Sequence, residues 1–322
     1  MTSIDQSALD GTLKTLKERL ARARNSYGFW EGKLSSSALS TAVAVFALAL
    51  ANKRKYALLI EKAVAWLIDN QNSDGGWGDT TRSRSNISTT MLCWACLGAV
   101  EGANCEEARN PNIEIRNPPR DPLRDKLELS NTECSKQVGE AIRKCEGWLY
   151  SFAGSLEAGD LALAVDRKYG RDRSFSVPIL TMCALAGRLG QSDQAWRLIK
   201  ALPFELAMLP HRLYSWLRLP VVSYALPALI AIGQAHYHHR RPAKAVTRFI
   251  RRLSLKRTLK VLRCIQPGNG GFLEAAPLTA FVVMSLAAFG QGDSEVARKG
   301  AEFLVNSVRD DGSWPIDTNL AT

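Results

Sequence analysis

The chain is expected to be all-α, an (α/α) barrel or toroid of stacked helical hairpins, on three observations. No stretch sustains the apolar–polar alternation of a half-buried strand, so strands are not expected. Apolar residues recur at helical spacing in one segment after another. A turn that joins glycine to an aromatic residue returns at Trp30, Trp77, Phe272 and Trp314, with neighbouring copies 47 and 42 residues apart. That is the range of helical-hairpin repeats. The pattern runs from end to end, so residues 1–322 are taken as one α/α domain.

The elements follow in order. In Ala8–Asn25, Leu9, Leu13, Leu16 and Leu20 fall on one face with Lys and Arg between them, which predicts an amphipathic helix. Ala38–Leu50 is apolar on every side and predicts a helix enclosed by others. Lys62–Asn70 is helical and stops at Gln71-Asn72-Ser73-Asp74-Gly75-Gly76-Trp77-Gly78, after which Ile87–Val100 is again apolar on most sides. The unit is amphipathic helix, Gly-aromatic turn, apolar helix. It returns with Leu255–Ile265, Gln266–Phe272 and Ala275–Phe289, and begins again with Val296–Val308 and Arg309–Trp314. Between the copies, residues 104–125 hold Pro111, Pro118, Pro119 and Pro122 and predict a surface loop. Thr132–Leu149 is helical, and Ser174–Gly187 resembles the apolar half of a repeat without its turn. Pro203–Ser215 has no assignment.

Composition bounds the class. Apolar residues make up 46% and charged residues 23%, which excludes a disordered chain. The 7 Cys are odd in number and unevenly spaced, and Met1–Asp10 is no signal peptide, so a reducing, cytoplasmic setting is expected. The net charge of +11 is local, because residues 240–263 hold ten Lys/Arg and no acid, leaving 32 basic against 31 acidic residues elsewhere. The uncharged runs Leu34–Asn52, Leu219–Ala235 and Ala275–Gly292 approach membrane-spanning length, but their Ser, Thr, Pro and Ala content suits buried helices.

The glycines before Trp77, Phe272 and Trp314 are expected to take the left-handed conformation that ends a helix, with the aromatic folded over the helix end. Gln71 and Gln266, six residues ahead of their aromatics, are placed to bond free backbone groups of the following helix. The structural turn residues are therefore Gln71, Gly76, Trp77, Gln266, Gly271, Phe272, Gly312 and Trp314.

These turns resemble the QW-type repeats of squalene–hopene cyclases. Gly28-Phe29-Trp30-Glu31-Gly32, Asp74–Thr80 with Asn86-Ile87-Ser88-Thr89-Thr90, Leu219–Pro227 and Asp311–Thr318 are similar to segments of the same family. The resemblance implies the N-terminal portion of a triterpene cyclase, mainly its β domain. It also implies proton-initiated cyclisation of squalene or a similar polyprenyl, with no metal or organic cofactor. Protonating an alkene needs an unusually strong carboxylic acid, which the family draws from an Asp-x-Asp-Asp type motif. The one adjacent pair, Asp310-Asp311, lies in a turn and lacks the third carboxylate, so no catalytic residue is expected in this chain. The chain is read as truncated after Trp314, which predicts an exposed apolar face near Phe303, Leu304 and Trp314.

Other constellations point to packing. Cys93-Trp94-Ala95-Cys96 has no second pair, and His236-Tyr237-His238-His239 is read as the opening of the basic segment, so no metal site is expected. Protein prenyltransferases share the fold, but their Asp/Cys/His zinc site has no counterpart here. The segment Arg240–Arg263 has one aromatic, Phe249, which argues against nucleic acid. Its amphipathic phase, with Val246, Phe249, Ile250 and Leu253 on one side, fits an anionic membrane surface. A solvated helix face is the bland alternative. For the whole chain, the alternative to a cyclase part is a non-catalytic α/α repeat module that binds a lipid or protein partner.

Overall fold

A computed structural model describes residues 5–32, 34–107, 122–170, 172–190, 192–208, 225–318 and 320–321. The described helices are α1 (Gln6–Arg22), α2 (Ala38–Asn52), α3 (Ala57–Asp69), α4 (Ile87–Glu107), α5 (Pro122–Ala153), α6 (Ala158–Tyr169), α7 (Arg173–Leu185), α8 (Ser192–Leu198), α9 (Leu226–His239), α10 (Ala245–Ile265), α11 (Ala276–Ala288) and α12 (Glu295–Ser307). Four strands of two residues accompany them: β1 (Glu31–Gly32), β2 (Ser36–Ser37), β3 (Trp314–Pro315) and β4 (Leu320–Ala321). They correct the expectation of no strands. A two-residue strand is too short to carry the alternation that would have revealed it.

Five of the described helices form a closed inner ring. α2 packs on α4, α4 on α7, α7 on α9, α9 on α11, and α11 returns to α2. Such helices must be apolar on all sides, and they are: ten residues of α2 and nine of α11 are buried. The outer layer is amphipathic. α3 leans on α2, α5 on α4, α6 and α8 on α7, α10 on α9, and α12 on α11. The fold is all-α, of the α/α toroid type, with a core continuous from α2 through α7 to α12. Polar caps fix the starts of several helices. Ser37 accepts from the Ser40 N–H, Asp172 from the Ser174 N–H, and Ser294 from the Ala297 N–H.

Ring closure overturns the expectation of a bare face near the chain's end. Phe303, Leu304 and Trp314 are buried. β3 pairs antiparallel with β2, setting Trp314 opposite Ser37 at the head of α2. The first inner helix thus supplies the hairpin partner that the sequence reading looked for after Trp314. β1 pairs with β4 beside it, Glu31 against Ala321.

The expected loop at 104–125 narrows, since α4 runs to Glu107 and α5 starts at Pro122, and residues 108–121 lie outside those described. Leu219–Ala225 lies largely outside them too, as does most of Pro203–Ser215, where Phe204–Met208 form a 3-10 turn. Among the described residues no helix is long and apolar enough to cross a membrane.

Candidate functional site

The repeated turns line one rim of the ring and share one geometry. The residue with positive φ is the glycine two places before the aromatic: Gly75 at +89°, Gly270 at +87° and Gly312 at +87°. Gly76 and Gly271, next to the aromatic, are not at positive φ and are small for a different reason. A Cβ on Gly76 would meet Ser85 Cβ at 2.6 Å, and one on Gly271 would meet the Phe303 ring at 2.3 Å. In the last copy that place belongs to Ser313, whose hydroxyl bonds Ser36 Oγ and Asp311 Oδ1, each at 2.6 Å.

The aromatics are locked from two sides. The Trp77 indole N–H donates to Leu67 O at 2.8 Å, and the Trp314 indole N–H to Leu304 O at 2.8 Å. Each carbonyl lies in the outer helix before the turn, one of the carbonyls that a helix end leaves unpaired. The aromatic's own main-chain N–H donates to a threonine of the inner helix behind it. Trp77 reaches Thr90 Oγ1 at 3.0 Å, Phe272 reaches Thr279 Oγ1 at 2.9 Å, and Trp314 reaches Thr41 Oγ1 at 3.0 Å. In Asn86–Thr90, Asn86 Oδ1 caps α4 by accepting from Ser88 and Thr89 N–H, and Thr90 receives the turn. Thr41, Thr90 and Thr279 are functional partners that sequence reasoning missed. An apolar helix with threonine in its first turn was the available signal.

Gln71 and Gln266 do not bond the following inner helix, as expected, but an outer one. Gln71 Nε2 donates to Gly75 O and to Ala141 O in α5, while Gln266 Nε2 donates to Gly270 O and to Val296 O in α12. The left-handed glycine brings the turn so close that a Cβ on Gly75 would lie 2.5 Å from Lys144 O, and one on Gly270 would lie 2.2 Å from Lys299 O. Each turn therefore ties one hairpin to the outer helix of the next. The last turn repeats this across the ring closure, because a Cβ on Gly312 would meet Lys62 of α3 at 2.9 Å.

Two aspartates belong to these turns. Trp148 Nε1 donates to Asp74 Oδ2 at 3.2 Å, and Trp66 Nε1 donates to Asp311 Oδ2 at 3.1 Å. Burial works to raise the Asp311 pKa, but the hydroxyl and main-chain N–H of Ser313, the Trp66 indole and nearby Arg309 outweigh it and hold the carboxyl below its usual value. Asp74 is likewise lowered: burial opposes, and Ser85, the Gly76 N–H and Trp148 prevail. Both carboxylates are held ionised, the opposite of what a proton donor needs.

A fourth copy of the turn lies outside the ring. Gly28 has φ +91°, and the Trp30 indole N–H donates to Leu20 O at 2.6 Å, ten residues back as in the Trp77 and Trp314 turns. The outer helix that precedes it, α1, has no buried residue, and its four leucines are half-exposed. The position ahead of α2 is taken by Trp314, so the Trp30 turn serves no inner helix of this ring.

A cavity of about 390 Å³ opens on the same rim between the turns at 266–272 and 309–314. Asn269, Asn306, Ser307, Arg309, Asp317 and Thr318 give it a polar wall beside Phe303 and Leu34. Cys93 and Cys96 are fully buried, and burial pushes both thiols well above their ordinary pKa, so neither is a nucleophile. His236–His239 do not open the basic segment but form the last turn of α9. His236 Nε2 bonds Ile199 O at 3.1 Å, and His239 stacks flat on Trp196 with 4.6 Å between ring centroids. Among the described residues no group of three His, Cys, Asp or Glu is placed to hold a metal ion.

Residues 13–108, from within α1 past the first two turns, match the squalene–hopene cyclase N-terminal domain. The N-terminal part of this chain is squalene–hopene cyclase-like. The squalene–hopene cyclase of Zymomonas mobilis is 33% identical over an alignment of 112 positions that covers 31% of this chain and 17% of that relative. The chain thus spans about a sixth of the length of the curated relative it matches.

Proposed function

We propose that this ring is the N-terminal, non-acid portion of a class II triterpene cyclase that acts by proton-initiated closure of squalene or a similar polyprenyl. The observation that supports it most is the match over residues 13–108, which takes in both α1 with its surplus Trp30 turn and the first turn of the ring. A ring part that carries no proton source has a supporting role: it braces the acid-bearing part and shapes the way in for an apolar substrate. Its turn aspartates are committed to indole and serine hydrogen bonds and do not initiate cyclisation. An isomerase of this kind needs no metal or organic cofactor, since the reaction moves one proton and rearranges carbon–carbon bonds within one molecule. An apolar substrate resides in a bilayer, which supports a peripheral location on a membrane surface for such a cyclase.

The test is direct. The chain is incubated with squalene alone and after co-expression with a cyclase segment that carries the Asp-rich motif. Cyclic products are expected only from the combination. Products from the chain alone would overturn the reading. So would a failure of the chain to bind the acid-bearing segment, which would leave the non-catalytic repeat module as the better account.

A further inference from the structure

We propose that α1 is a dimerisation element, which pairs antiparallel with the α1 of a second copy of this chain through a leucine seam. The inference goes beyond the cyclase reading and does not rest on it. α1 buries none of its residues, and Leu9, Leu13, Leu16 and Leu20 are 48%, 48%, 56% and 57% exposed. Their spacing of four, three and four residues is that of alternating d and a positions in a heptad. The stripe runs for about 16 Å, from the rise of 1.5 Å per residue. One leucine wide, it is narrower than the face a helix lays on a globular core or dips into a bilayer, and it has the width of a seam between two paired helices. The C-terminal end of α1 is tied to the turn that follows by the Trp30 indole N–H on Leu20 O, and the stripe itself stays accessible. A 17-residue helix with an uncovered apolar stripe is marginal in water without a partner.

Charge selects the direction of pairing. With Leu9 and Leu16 at d and Leu13 and Leu20 at a, the seam is flanked by Asp10, Lys17 and Arg24 at e and by Asp5, Thr12 and Arg19 at g. A parallel copy would bring each g position against the e position five residues on. That sets Asp5 against Asp10 of the second copy and Arg19 against its Arg24, like charge against like. Turning the second helix round brings e against e instead. Leu9 then meets Leu20 of the second copy, Leu13 meets its Leu16, and Asp10 lies beside its Lys17 with an offset of about 3 Å along the axis. Two-fold symmetry makes that ion pair twice. Glu18 is already paired with Arg22 of its own helix at 3.7 Å and takes no part in the seam. A seam of two heptads makes a weak, reversible dimer.

Sedimentation equilibrium of the whole chain is the test. The average mass is expected to climb from that of one chain toward twice that value between about 1 µM and about 100 µM, the range of a small interface. Leu13→Asp with Leu16→Asp should keep the single-chain mass throughout. Its melting temperature at about 1 µM, where the parent is also a single chain, should be unchanged, because α1 buries nothing in the ring. Asp10→Lys should weaken the dimer about tenfold by replacing two attractions with two repulsions, and Lys17→Asp added to it should restore the parent's affinity. In a parallel pair Asp10→Lys would instead relieve the contact with Asp5 and tighten the dimer, an outcome that overturns the proposal. A single-chain mass at every concentration also overturns it, as does association that the leucine variant leaves unchanged. In either case, loss of binding by the leucine variant to an acid-bearing cyclase segment, or to phosphatidylcholine vesicles, assigns the stripe to that other occupant. No readout here depends on squalene turnover, so failure of the dimer and failure of the cyclase reading are told apart.

Discussion

Gly75, Gly270 and Gly312 face two demands at once, a left-handed φ and a close crossing of the next outer helix. Gly75→Ala and Gly270→Ala are each expected to lower stability by about 2–4 kcal/mol, read from the urea midpoint, because a methyl group is forced both into strain and against a backbone carbonyl. Gly147, inside α5 with nothing within 4 Å of a would-be Cβ, is the contrast. Gly147→Ala is expected to raise stability by about 0.5–1 kcal/mol. Equal losses at Gly147 and Gly75 would mean that the turns hold no special geometry. The sequence shows the glycines plainly, yet in the Gly-Gly copies it does not say which takes the left-handed backbone. The Gly312-Ser313 copy breaks the tie, since a serine stands where the second glycine would be. The role of Gly76 is legible only in three dimensions, because Ser85, which excludes its Cβ, comes from the far side of a loop.

Two element-level contacts give sharper tests. The hydroxyls of Thr41, Thr90 and Thr279 accept from the main-chain N–H groups of Trp314, Trp77 and Phe272, and all three threonines are buried. Replacement by valine keeps the shape and leaves a buried donor unpaired, at a cost of about 1–3 kcal/mol. Thr41→Val and Thr90→Val should therefore cost the same within error, although Thr41 lies 273 residues before its partner and Thr90 only 13 after. A cost at Thr90 with none at Thr41 would show that the last turn is not seated on α2. The second contact is the packing of α8 on α9 through His236, His239 and Trp196. Burial is the first cause that lowers both histidine pKa values; Arg251 and Arg240 add to it at His236, and His238 at His239. The folded state then binds fewer protons than the unfolded one, so the histidines stabilise above the ordinary histidine pKa of about 6.5 and that stability is lost as pH falls below it. Thermal melts should show a lower midpoint at about pH 5.5 than at about pH 7.5, and His236→Gln with His239→Gln should flatten the difference. An unchanged slope in that variant would assign the pH dependence elsewhere.

At the scale of the whole molecule, the pattern of apolar inner and amphipathic outer helices was readable because burial on all sides leaves a residue-by-residue mark. α2, α4, α7 and α11 carry it clearly. What the sequence hid was closure. Chain order ends at Trp314 with no helix to follow, so the turn looked unfinished, whereas in space its follower is α2, the first helix of the ring. No local pattern encodes a contact between two ends of a chain. The short β2–β3 pair that makes it gives no periodic signal either. The Trp30 turn and the half-exposed leucines of α1 belong to the same picture, a ring closed among the described helices with α1 outside it. Native-state hydrogen exchange of the indole and main-chain N–H groups of Trp77 and Trp314 tests that ring most directly. The two residues are expected to exchange with the same opening free energy, close to that of global unfolding. Fast exchange at Trp314 with Trp77 still protected would show an open ring and contradict the account.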